Sequence, residues 1–121
     1  VPQIKIKRAY DPPKRDDGYR VLVDRMWPRG LRKEDLKHNV WAKDIAPSTK
    51  LRQWFGHDPQ RWPEFKKRYT EELRDPAIRE HIKEIVEAAK NKPAITLLYG
   101  AKDAEHNQAV VLRSVFERLA R

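Results

Sequence analysis

Asp24, Arg25, Trp27 and Arg29 place an acid, two guanidinium groups and an indole within six positions of the run Arg20-Val21-Leu22-Val23-Asp24-Arg25-Met26-Trp27-Pro28-Arg29-Gly30. Arg25 and Arg29 could present a planar fork to a phosphate or carboxylate, with Asp24 holding one of them or acting as a base. Trp27 could stack on a base or sugar, or belong to the core. Pro28 stiffens the turn and Gly30 permits close backbone approach, so the stretch suits a preorganised site. The bland alternative is that Asp24 and Arg25 form a structural pair.

A second group follows Tyr99: Lys102, Asp103, His106 and Asn107. Asp103 or Asn107 could cap a following helix. His106 would then lie in or beside its first turn, where the dipole disfavours the imidazolium and leaves a neutral ring for proton transfer. Backbone amides there could also take an anion. The alternative makes Asp103 only a cap and His106 a surface residue. A third group, Trp54, Phe55, Gly56, His57 and Asp58, mixes aromatics with an imidazole and a carboxylate where a helix stops. His57 and Asp58 could orient each other, or Asp58 could cap the next turn, while Trp54 and Phe55 read as core.

These groups need elements to hold them. Residues 3–10 alternate Ile4 and Ile6 with Lys5 and Lys7, the period-2 pattern of a half-exposed strand suited to a sheet edge. Asp11 to Gly18 is turn chemistry and predicts a mobile loop. Tyr19 to Asp24, with uninterrupted Val21-Leu22-Val23, predicts a central strand covered on both faces. Residues 32–38 predict a short helix and 40–42 a short strand. Ser48 is placed to cap a helix that stops at Gly56, and a longer helix is predicted from Pro63, because proline disfavours helical geometry at Trp62. Asp75-Pro76 opens a helix ending near Lys90, residues 95–99 read as a second buried strand, and a last helix follows the loop 100–107.

Buried strands alternating with amphipathic helices predict an α/β fold, a small mostly parallel sheet of about four strands flanked by helices, in one layered domain over 1–121. Ligands of such sheets bind beyond the carboxyl ends of the strands. If strands 20–24 and 95–99 are parallel neighbours, the loops 24–30 and 100–107 come together.

Bulk properties narrow the chemistry. The 121 residues carry no cysteine, which excludes disulfides, thiolate nucleophiles and Cys-based metal centres. There is no HExxH or clustered ligand set for a metal, and no Walker loop, GxGxxG or GxSxG elbow, so the sequence names no cofactor. No apolar run reaches the roughly 18 residues of a membrane span, and Val1 to Arg8 lacks a signal-peptide core, which predicts a cytoplasmic protein with no membrane partner. A formal net charge of +9 favours anionic partners, a small molecule or nucleic acid, although a merely solubilising surface reads the same way. The basic aromatic stretch Arg61 to Tyr69 could stack bases, or its rings could be core.

Four motifs, Leu22-Val23-Asp24-Arg25-Met26-Trp27-Pro28-Arg29-Gly30, Trp41-Ala42-Lys43-Asp44-Ile45-Ala46-Pro47-Ser48, Trp54-Phe55-Gly56-His57-Asp58-Pro59 and Leu97 to Asn107, span nearly the whole chain. Together they resemble the YeaO-type branch of the family catalogued as domain of unknown function 488. The resemblance implies an α/β domain of bacterial or archaeal type and brings no activity with it. Other members of the wider family carry cysteine and glutamate where Tyr99 and Ala101 stand here, so thiol or carboxylate chemistry at those positions is closed to this chain.

The expectation that follows is a small enzyme or ligand-binding domain for a phosphate-bearing or otherwise anionic, nucleotide-related compound. Asp24 and His106 are the acid/base candidates, and Arg25, Trp27, Arg29, Lys102, Asn107 and His57 the ligand-binding candidates. Two other classes stand beside it: a non-catalytic nucleic-acid-binding module using the basic surface, and a protein-interaction domain. The sequence does not fix the oligomeric state.

Overall fold

The computed structural model describes residues 2–121. Among these, four strands form one sheet: β1 (Gln3–Arg8), β2 (Tyr19–Leu22), β3 (Val40–Trp41) and β4 (Ala94–Tyr99). All pairings are parallel and the order is β1-β4-β2-β3, an α/β architecture with β1 at one edge, as its alternating lysines predict. The helices are α1 (Lys33–Leu36), α2 (Thr49–Phe55), α3 (Trp62–Glu72), α4 (Pro76–Ala88) and α5 (Gln108–Leu119).

The two central strands explain the two unbroken apolar runs. Because side chains alternate across a strand, Val21, Val23, Ile95, Leu97 and Tyr99 join the large core built by α2 to α5, while Leu22 and Leu98 join a smaller core with Ala9 and Leu36. Trp27, Leu31 and Trp41 close that second core. Register pairs Val21 with Leu97 and Leu22 with Leu98, so β2 and β4 end side by side and their following loops meet.

Local punctuation places the helices that border those loops. Ser48 Oγ accepts from the Leu51 amide and Gly56 ends α2 at a left-handed φ of 53°. Asp75 caps α4 with Pro76 in its first turn, and Asn107 caps α5. Two expectations are corrected. Trp62 is helical despite preceding Pro63: a proline in the first turn gives up only an amide that has no partner within the helix, so α3 starts one residue earlier than predicted. The loop before β2 is pinned rather than free, because Asp17 is buried against Lys7 and Arg20 at 3.0 and 2.5 Å and its carbonyl accepts from Thr96 Oγ1. Among the described residues, no helix is long and apolar enough to cross a membrane.

Candidate functional site

Asp24 follows β2 by two residues, and its neighbour Val23 still donates to the Leu98 carbonyl. The chain therefore leaves the sheet with the carboxylate aimed across the gap to β4. Asp24 Oδ2 accepts from the Gly100 amide at 2.9 Å, and Oδ1 accepts from the side-chain amide of Gln108, the first residue of α5. A Cβ at position 100 would lie 2.8 Å from Asp24 Oδ2, so glycine is what lets the carboxylate reach that amide. Arg8 on β1 fixes the same turn by donating to the carbonyls of Gly100 and Ala101.

The carboxylate edges a cavity of about 200 Å³ lined by Asp24, Arg25, Met26, Pro47, Arg52, Phe55, His57, Phe65, Gly100, Ala101, His106, Asn107 and Gln108. Burial raises the Asp24 pKa to about 6; the Gly100 and Gln108 hydrogen bonds and the nearby His57 and Arg52 oppose this without cancelling it. The group thus exchanges its proton just below neutrality.

Of the sequence candidates, Asp24, Arg25, His57, His106 and Asn107 line this cavity. Arg25 donates from Nε to the Pro47 carbonyl at 3.0 Å and from Nη2 to the Ala46 carbonyl, fastening the approach to α2 and placing its guanidinium on the wall. It does not pair with Asp24, whose own bonds are those to Gly100 and Gln108. His57 is exposed with a left-handed φ of 58°, the conformation forced by the chain reversal after Gly56. Asp58 does not orient it but caps the next turn through the Gln60 amide. His106 Nδ1 meets Asp103 Oδ2 at 2.8 Å, and its ring lies edge-on to Trp62, with centroids 5.4 Å apart. Asn107 is 2% exposed and fully engaged: Oδ1 accepts from the Ala109 and Val110 amides and Nδ2 donates to the Asp103 carbonyl.

Trp27, Arg29 and Lys102 are not among the lining residues. Trp27 packs edge-on to His38 and Trp41 and donates Nε1 to the Leu31 carbonyl, because the small core beside α1 needs a large apolar plug. Arg29 and Lys102 have exposed side chains, and the Arg29 carbonyl accepts from Tyr10 Oη. Arg52, Gln108, Phe55 and Phe65 belong to the site without having been read as such. Only Phe55 and Phe65 carried a sequence signal, and it read as core, which they also are.

Of the aromatic rings of α3, only Trp62 is partly open. Phe65 and Tyr69 are buried, and Trp54 beside it is covered by the Arg68 and Arg61 guanidinium groups at 4.3 and 5.3 Å from its centroid.

A parallel α/β sheet with a small pocket of mixed apolar and charged lining at the carboxyl ends of its two central strands is the class of protein that fold and site define. The chain belongs to the family described as the "Inactive DUF488-N3 subclade", whose model matches residues 3–121. It is 44% identical over 109 residues to the uncharacterised protein YeaO of Escherichia coli, covering 90% of this chain and 92% of that one. It is 38% identical over 110 residues to uncharacterised proteins of Mycobacterium tuberculosis and Mycobacterium bovis, covering 91% of this chain and 90% of theirs. No solved structure matches.

Proposed function

We propose that this protein binds a small anionic molecule between the loops that follow β2 and β4 and does not turn it over. The observation that carries this reading is the wall of the cavity, where Arg25 and Arg52 outnumber the single carboxylate of Asp24 and His57 adds a further nitrogen donor. A guanidinium on the wall of a partly desolvated pocket holds a carboxylate or phosphate by charge-assisted hydrogen bonds.

Three features favour binding over catalysis. Each oxygen of Asp24 already accepts one hydrogen bond, which makes the carboxylate a strut that holds the loops together. His106 is tied at Nδ1 to Asp103. Ala101 and Tyr99 supply neither thiol nor carboxylate, in keeping with the family's description as inactive.

The test is thermal unfolding in the presence of inorganic phosphate and, separately, acetate. Saturable binding at about ten times the Kd should raise Tm by about 5 °C for a chain of this size. Arg52→Gln should abolish the rise while unfolding near the wild-type Tm, because Arg52 is exposed and its side chain makes no hydrogen bond or ion pair among the described residues. Stabilisation that persists in Arg52→Gln, or none with either anion, would sink the reading.

A further inference from the structure

The cavity also limits the shape of what it can hold. Its volume is about 200 Å³. An apolar cavity of about 150 Å³ accommodates benzene, so this one holds a six-membered ring with one small substituent. A whole nucleotide, a ring joined to a sugar and a phosphate, exceeds it.

The lining is chemically divided. Phe55 and Phe65 stack at 4.3 Å with an interplanar angle of 23°, and Trp62 continues the stack behind Phe65 at 5.6 Å. Phe55 and Phe65, with Pro47, Ala101 and Met26, give the cavity its apolar lining. Met26 is 64% exposed, so an apolar side chain already lies in water at the rim. Arg25 and Arg52 stand against Asp24, so a single negative charge on the ligand balances the guanidinium groups of the wall. A site with a ring-sized apolar space and a surplus of one positive charge is complementary to a ring that bears one acid group.

We infer that the ligand is a single-ring monoanion, an aromatic or alicyclic carboxylate whose ring lies against Phe55 and Phe65 and whose acid group meets Arg52 and Arg25. This rests on the anion-binding reading above and narrows it. Asp24 lies beside the ring, where it can accept from an N–H or O–H substituent. Such a substituent would distinguish one ring acid from another.

Calorimetry with benzoate, acetate, inorganic phosphate, 2-naphthoate and adenosine monophosphate tests it on the unmodified protein. Benzoate should bind about tenfold or more tightly than acetate or phosphate, because only it buries a ring. The two-ring 2-naphthoate should bind more weakly than benzoate. Phe55→Leu should weaken benzoate and leave acetate unchanged, and Arg52→Gln should weaken both. Should Phe55→Leu fail to fold, the comparison of benzoate with 2-naphthoate and acetate decides alone. Phosphate or acetate binding through Arg52 without preference for benzoate overturns the ring proposal and leaves the anion site standing. Adenosine monophosphate or 2-naphthoate binding more tightly than benzoate overturns the size argument. Absence of binding by every probe overturns both readings.

Discussion

Asp24 combines two roles that pull against each other. Its carboxylate joins the two loops, yet burial lifts its pKa from the ordinary 3.8 to about 6. For an acid whose folded pKa is raised, the sign is fixed. Below pH about 4 the carboxyl is protonated in both folded and unfolded chains and costs nothing. As pH rises from about 4 through about 6 the unfolded chain gives up the proton more readily, so stability is lost. The full loss at pH 8 is about 3 kcal/mol. Asp24→Asn should therefore raise Tm at pH 8 by several degrees, with the gain vanishing towards pH 4. The amide can keep both contacts: its oxygen accepts from Gly100, and its nitrogen donates to a flipped Gln108. The same substitution removes a negative charge beside the bound anion. Wild-type affinity for a monoanion should fall as pH rises through about 6, and Asp24→Asn should flatten that dependence. A variant no more stable than wild type at pH 8 would show that the buried charge is not a burden on the fold.

At the scale of elements, the site exists because β2 and β4 are parallel neighbours. Their positions at the sheet centre were legible in Val21-Leu22-Val23 and in Ile95 to Tyr99, since strands covered on both faces need no polar alternation. Ser48, Gly56 and the Asp75-Pro76 pair were legible for a different reason: caps and stops act within a turn of their own position. The links across the cavity were not. Asp24 reaches Gly100 and Gln108 across 76 and 84 positions of sequence, and no local pattern specifies such partners. Trp27 misled for a related reason, because a tryptophan beside charged residues reads as a binding surface until its indole is seen plugging the α1 side of the sheet. The Gly100 turn gives this scale its own prediction. In Gly100→Ala the new Cβ, 2.8 Å from Asp24 Oδ2, pushes the carboxylate off the amide. The lost bond costs about 1 to 3 kcal/mol. That bond also favours the ionised form, so the fall in Tm, which still begins near pH 4, should level off at a higher pH than in wild type. An unchanged Tm profile in this variant would mean that the loops are joined by something other than Asp24.

The whole molecule assigns different work to the two ends of its sheet. At the carboxyl end lies a cavity with a half-buried acid whose pKa is raised. At the amino end, Asp17 and Arg20 are each 4% exposed, and Arg20 also donates to the Leu36 carbonyl at 2.7 Å, tying the start of β2 to α1. Burial alone would raise the Asp17 pKa, but the Lys14 amide and the charges of Lys7 and Arg20 outweigh it and hold the carboxyl below its usual 3.8. Its contribution is thus present above pH about 4 and is lost as pH falls through the lowered value. The two acids act in opposite directions on the same chain. Wild-type Tm should rise as pH falls from 8 towards 5, as Asp24 takes up its proton, and then drop in stronger acid as Asp17 does the same. Asp17→Ala strands the Arg20 guanidinium in the interior, which costs about 3 to 5 kcal/mol. Because Asp17 lies at the far end of the strands from the cavity, the folded fraction of that variant should still bind the small anion with wild-type affinity. Thermal melts across pH, paired with calorimetry well below Tm, separate the two ends: a loss of anion binding in Asp17→Ala would mean that the sheet couples them rather than dividing their roles.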